Sequence, residues 1–165
     1  MRRFYFIKDI IGRTVAYECE VCDIARKSVM PVGGIIYEDD DIIVYSHLFA
    51  PINGFIIIAP KQHVHSLKDL DDNVQSKILS IAEEVQEQLT KLNISQEFST
   101  IPIEGEGIHA RMYVLPRFNG IFESGFDYEL LKSVQSMQRR NIPISKPSDI
   151  MLTTTKLKTH FSKKH

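Results

Sequence analysis

Cys19 and Cys22 stand three positions apart, and the chain has no other cysteine. A Cys-x-x-Cys pair carries two sulfurs on one turn, where they can bind a metal as thiolates or exchange electrons as a dithiol. Dithiol chemistry needs an electropositive setting that stabilises thiolate. Glu18, Glu20 and Asp23 surround this pair and oppose it. Two plain buried cysteines are the bland alternative, and the pair alone does not separate that from zinc. A structural zinc site needs two more donors, and neutral imidazoles are the natural ones. His63 and His109 each fall where a strand pattern ends or begins. His65 is the local rival of His63 and reads as an ordinary loop histidine. His47, His160 and His165 have no ligand-like spacing.

The stretch from Ile108 to Arg117 alternates apolar residues with polar or aromatic ones. Strand side chains alternate faces with period two. The pattern predicts a strand over 107–115, with Ile108, Ala110, Met112 and Val114 facing a core. His109, Arg111 and Tyr113 then share the opposite face. On these residues alone, that is an antiparallel strand with one wet side.

Elements of both kinds must position these groups. Patches rich in β-branched and aromatic residues predict strands at 3–7, 12–17, 34–38, 41–46, 54–59, 97–101 and 107–115. The acidic run Glu38-Asp39-Asp40-Asp41 suits a hairpin turn. Phe55 to Ala59 has no polar face, so it reads as a central strand ended by Pro60. A helix is expected over 71–92, because Val74, Ile78, Ile81, Ala82, Val85, Leu89 and Leu92 form one apolar stripe. Asp71 and Asp72 suit its N-terminus. A shorter helix is expected at 126–140, with Leu130, Leu131, Val134 and Met137 inward. From Pro143 onward, two prolines and Thr153-Thr154-Thr155 weaken the pattern. The last twenty residues read as an extension that packs loosely or only against a partner.

With 165 residues, 43% of them hydrophobic, the chain can bury the core of one α+β domain. Its 20 basic and 21 acidic residues nearly cancel, so no overall field argues for nucleic acid or an anionic membrane. The C-terminal end is basic, through Lys156, Lys158, Lys163 and Lys164. With Arg139-Arg140 this suggests nucleic-acid-end binding, but a solvated charged face is the commoner meaning of such a cluster. No apolar run is long enough to cross a bilayer. The N-terminal Phe4-Tyr5-Phe6-Ile7 stops too soon for a signal sequence, so a cytoplasmic location is expected.

The order of these pieces is specific. Cys-x-x-Cys is followed by Ile36-Tyr37-Glu38-Asp39-Asp40-Asp41, by Gly54 to Ile58, and by Pro60-Lys61-Gln62-His63. Then come the long helix and a strand ending in Leu115-Pro116-Arg117. This resembles the histidine-triad (HIT) superfamily over about residues 19–118. The resemblance implies an antiparallel sheet with one long helix packed on it, over residues 1–118. Residues 119–165 would be a helical, basic extension. It also implies that Cys19, Cys22, His63 and His109 bind one zinc ion, as in zinc-bearing members, and that the chain forms a two-fold homodimer.

The catalytic positions depart from the family. Its motif is His-φ-His-φ-His-φ-φ, and the middle histidine attacks a nucleotide α-phosphate. Here the three positions read His109, Arg111 and Tyr113. A guanidinium has no available lone pair and cannot attack. Tyr113, with a phenol pKa near 10, stays protonated without an activating base. His47 stands where the family usually holds the ribose hydroxyls with an acid. Glu104-Gly105-Glu106-Gly107 replaces the phosphate-cradling Gly-Gln-Ser/Thr segment. The resemblance therefore implies a zinc-binding protein without the nucleophilic histidine, acting as a non-catalytic anion-binding or scaffolding domain. A nucleotide or phosphate-like anion would meet Arg111, His47, Tyr113, Gly105 and Gly107. Two alternatives stand beside it. Arg111 pairs with Glu104 or Glu106 and fills an obsolete pocket, or the chain remains a nucleotide phosphoramidate or dinucleoside polyphosphate hydrolase with a non-standard nucleophile.

Overall fold

A computed structural model describes residues 4–117 and 134–164. A small hairpin opens it, β1 (Tyr5–Lys8) and β2 (Thr14–Tyr17), paired antiparallel. Next comes a short helix, α1 (Glu20–Ala25). The main sheet is built from β3 (Ile35–Glu38), β4 (Ile42–Ser46), β5 (Ile56–Pro60), β6 (Phe98–Ile103) and β7 (Arg111–Pro116). Its order is β3-β4-β5-β7-β6, and every neighbouring pair runs antiparallel. The helix α2 (Asp72–Lys91) links β5 to β6.

Polar and apolar residues sit where their chemistry requires. Asp39 makes the β3–β4 turn by accepting hydrogen bonds from the backbone N–H groups of Asp41 and Ile42. Every residue of β5 is buried, as expected of the central strand. Ile57 and Ala59 enter one core, while Ile56 and Ile58 enter another on the opposite face. The second core is closed by Ile78, Ile81, Ala82, Val85 and Leu89 of α2. Asp71 caps this helix through the N–H of Asn73, satisfying one of its orphan donors. Gly54 enters β5 with φ of 82°, and a Cβ there would lie 2.8 Å from Ile94 Cγ2. Only glycine meets both conditions.

Of the face expected to be wet, only the Arg111 end reaches a cleft. Tyr113 and Leu115 of β7 are fully buried, in the first core, with Tyr45, Phe55 and Val21. Residues from α1 and from the Met137–Ile142 region cover that face. Period-two alternation holds, but it separates two cores. Nor does the strand extend back to residue 107. Ordered pairing starts at Arg111, and His109 lies just before it.

The C-terminal segment is helical, as the resemblance implies, but it packs on the domain rather than loosely. Pro147–Lys164 forms an 18-residue helix, which follows the short α3 (Val134–Arg139) and is numbered α4. The rest of the helix expected at 126–140 lies outside the described residues. α4 packs on β3, β4 and α2, burying Ile150, Thr153, Thr154, Leu157 and Phe161. Two of the threonines that weakened the sequence pattern, Thr153 and Thr154, serve the packing. Thr154 and Ser46 share a buried hydrogen bond of 2.7 Å, and Gly33 leaves room for the threonine side chain. Among the basic residues, Lys158 donates to the Gly33 carbonyl, while Lys164 and His160 both reach Glu84.

Candidate metal centre

Cys19 is the N-cap residue of α1 and Cys22 lies in its first turn. Asp23 holds this corner. Its carboxylate accepts from the N–H groups of Glu18 and Cys19, from Arg26 and from Ser28. Burial acts to raise the pKa of Asp23, but these donors outweigh it and hold the carboxyl below its ordinary range. This reach-back to the N-cap amide resembles a capping box displaced by one residue. Asp23 is therefore engaged as a brace of the loop.

His63 follows β5, and His109 precedes β7. Their Nδ1 atoms meet the two sulfurs. The distances are 3.6 and 3.4 Å from Cys19 Sγ, and 3.3 and 3.4 Å from Cys22 Sγ. All four donor atoms lie within 4.8 Å of one another. Tetrahedral zinc, with bonds of about 2.3 Å to sulfur and 2.0–2.1 Å to nitrogen, implies sulfur–nitrogen edges of about 3.6 Å. The geometry fits.

The protonation states suit the same purpose. His109 Nε2 donates to the Pro60 carbonyl at 2.8 Å, which leaves the Nδ1 lone pair facing the sulfurs. Burial and nearby charge lower the pKa of His109 to about 4, and burial lowers that of His63. Both imidazoles are neutral near pH 7, as ligands must be. The Cys22 thiol is pushed up to about 12, by burial first and by Cys19 second, when no cation is present. A divalent cation reverses that preference, because a coordinating thiol loses its proton outright. His65 stays outside the cluster and contacts the Ile108 carbonyl.

Arg111 lies beside this centre. A cleft of about 230 Å³ is lined by Tyr5, Tyr17, His63, Gly107, His109 and Arg111, among others. Glu20 Oε1 lies 3.4 Å from Arg111 Nη1 and accepts a 3.0 Å hydrogen bond from the Tyr45 hydroxyl. Arg111 thus pairs with Glu20, where the alternative reading had Glu104 or Glu106. Glu104 instead accepts from Ser66 and from the N–H of Leu67, and Glu106 is exposed. No sequence signal links Glu20 to a residue ninety positions away, although its place inside the Cys-x-x-Cys motif puts it near the metal donors.

Of the residues expected around an anion, only Arg111 and Gly107 line this cleft. Gly105 holds the preceding loop through its N–H and the His65 carbonyl. Tyr113 and His47 sit deeper. The His47 ring packs against Phe49, Phe55 and Tyr113, with centroids 4.4, 4.3 and 5.6 Å away. Its Nδ1 accepts from the N–H groups of Phe49 and Ala50. Burial, aided by Arg111, lowers its pKa to about 3, so it is a neutral core side chain.

The family model of the HIT domain matches residues 33–115. The chain belongs to the HIT family. An uncharacterized HIT-like protein of Borreliella burgdorferi is 26% identical over 121 residues, covering 68% of this chain and 83% of its own. Among solved structures, a Zn-bound histidine triad family protein from Mycobacterium smegmatis shares the fold with a TM-score of 0.61. It is 16% identical, and the match covers 88% of this chain and 96% of that one. A HIT family protein from Bacillus anthracis is similar at a TM-score of 0.56 and 17% identity, over 73% of this chain and 90% of its own. In this HIT domain the four metal-type donors stand together, while Arg111 occupies the middle triad position. No helix among the described residues is long and apolar enough to cross a membrane.

Proposed function

We propose that this chain is a zinc-stabilised HIT domain that does not catalyse nucleotidyl transfer, and that it acts as an anion-binding or scaffolding domain. One observation carries the reading. Cys19, Cys22, His63 and His109 converge at zinc-compatible distances, whereas Arg111 stands, ion-paired to Glu20, where the family motif has its nucleophile. The Zn-bound relative from Mycobacterium smegmatis supports the choice of metal. Zinc would join the α1 corner to the ends of two sheet strands and supply folding energy there.

Several features of this chain count against turnover. Arg111 offers no electron pair, and His109 Nδ1 is directed at the sulfurs. Tyr113 is fully buried and His47 is packed among aromatic rings. The face that carries Tyr113 is a closed core containing Met137 and Ile142. A reducing, cytoplasmic setting belongs to the same reading, since both ligand cysteines must stay reduced. So does the family-type homodimer, which the half-exposed Leu79 of α2 supports and light scattering would test.

The deciding experiment pairs metal analysis with turnover. Chelator-free preparations should hold one zinc per chain, and incubation with an adenosine phosphoramidate should release no adenosine monophosphate above the buffer blank. Release that persists through repurification and disappears in Arg111→Ala would overturn the non-catalytic reading. Zinc-free preparations would overturn the metal.

A further inference from the structure

The hairpin of β1 and β2 carries apolar side chains that the domain does not cover. Strand alternation sends Ile7 and Val15 against the first core, and on that same side Tyr5 stacks on Tyr17, with centroids 5.7 Å apart. Phe4 and Phe6 therefore point the other way, 56% and 73% exposed. Ile11 in the turn is 49% exposed. Met30, 41% exposed, lies against the same turn, because Arg13 Nη2 donates to its carbonyl. Exposed apolar residues scattered singly are ordinary, but a cluster on one projection marks an interaction surface.

The charge beside these side chains has one sign. Residues 2–17 hold Arg2, Arg3, Lys8 and Arg13 against Asp9 alone. Asp9 is 5% exposed, and its carboxylate accepts from the N–H groups of Ile11 and Arg13 and from the Arg13 side chain. Lys8 donates to the neutral hydroxyl of Thr14. Glu18 and Glu20, next in the chain, line the cleft with Tyr5 and Tyr17. The near-zero charge of the whole chain thus hides a local basic excess. A folded protein partner matches this surface poorly. The exposed parts of Phe4, Phe6, Ile11 and Met30 come to on the order of 400 Å², about half of the ~800 Å² that each side of a specific interface buries. A bilayer sets no such minimum, since apolar side chains enter the headgroup–acyl boundary one by one while basic neighbours meet anionic headgroups.

We propose that the β1–β2 hairpin is a peripheral anchor for an anionic lipid surface. Phe4, Phe6 and Ile11 enter the bilayer boundary, and Lys8, Arg13 and the two arginines before Phe4 draw the chain to it. Both signals are needed, because one weak signal alone gives only marginal, reversible binding. Neither zinc nor the triad positions take part, so the anchor stands or falls apart from the function proposed above.

The full chain is tested by co-sedimentation with vesicles of equal parts phosphatidylglycerol and phosphatidylcholine, against phosphatidylcholine alone. Wild type should bind the anionic vesicles at least roughly tenfold more tightly than the neutral ones. Salt at about 1 M, where the Debye length is about 3 Å, should remove that preference. Phe6→Ser should weaken anionic binding at least roughly tenfold, as the loss of one buried phenyl ring requires. Leu152→Ser, at an exposed position of α4, should leave it unchanged. The chain has no tryptophan, so Phe6→Trp supplies a sole reporter of depth. Its emission should shift to the blue on anionic vesicles and be quenched by brominated acyl chains. This variant keeps an aromatic ring and covers the case in which Phe6→Ser does not fold. Wild type that binds anionic vesicles no better than neutral ones overturns the anchor. So does equal binding by folded Phe6→Ser and wild type, an equal loss in Leu152→Ser, or unquenched emission from Phe6→Trp. A dimer that Phe6→Ser dissolves in light scattering, without vesicle binding, gives the face to a second copy of the chain and overturns the lipid reading.

Discussion

His109 donates its Nε2–H to the carbonyl of Pro60 at 2.8 Å, and this one bond decides which ring nitrogen faces Cys19 and Cys22. The carbonyl belongs to the last residue of the central strand, so the ring is oriented by the stiffest part of the sheet. His109→Gln removes the ligand and the orienting bond together. Zinc content should fall from one per chain towards zero. The melting temperature should drop by roughly 10 °C, equivalent to about 3–4 kcal/mol for a chain of this size. Cys19→Ser should behave alike. His65→Ala should retain its zinc, because that ring lies outside the cluster. Metal analysis and thermal melts check all three.

Arg111 and Glu20 are both largely hidden from water, with side chains 13% and 3% exposed. Removing one partner strands the other. Arg111→Met should destabilise the protein by about 3 kcal/mol, because a buried carboxylate loses its cation. Arg111→His should show no useful turnover with a phosphoramidate substrate. The new imidazole would stand beside Glu20 above a core closed by Tyr113 and His47. Urea unfolding and a nucleotide-release assay supply the two readouts.

The sheet and long helix were legible because their signals are local. The all-apolar run of β5, the stripe of α2 and the Asp39 turn each encode their element within a few residues. The metal donors were legible only through family resemblance, since Cys19 and His109 are ninety positions apart. What escaped is what depends on packing. The alternation around Tyr113 marks two faces, but it does not say whether water or α1 covers the second one. Likewise Thr154 looks polar in sequence, yet Ser46 and Gly33 make it a core residue. Glu20 was visible only as a charge near the sulfurs, because its partners Tyr45 and Arg111 come from distant strands.

The helix α4 is a structural member of the domain, which makes a sharp prediction. Phe161 is 1% exposed and stacks obliquely on Tyr37, with centroids 5.3 Å apart. Phe161→Ala should cost about 3–5 kcal/mol by leaving a cavity between α4 and the sheet. Thr154→Val should cost about 1–3 kcal/mol, because Ser46 loses its buried partner. Met151→Ala changes an exposed position of the same helix and should be close to neutral. Chemical denaturation of the three variants checks the order.

Acid should destabilise the fold through His47. In the unfolded chain this imidazole takes a proton near its ordinary pKa of 6.5, but in the folded core it does so only near 3. Between those values the unfolded state binds more protons, so unfolding becomes easier as the pH falls. The stabilisation is complete above about pH 6.5. It declines towards pH 3 with a limiting slope of about 1.4 kcal/mol per pH unit. His47→Asn keeps a side-chain acceptor for the Phe49 and Ala50 amides but does not titrate. It should be less stable than wild type at pH 7, since the aromatic packing is lost, yet depend less steeply on pH below 6.5. Both proteins should be compared with metal removed, so that zinc release does not add its own proton dependence. Parallel slopes between pH 6.5 and 4 would mean that His47 is not the group that acid attacks.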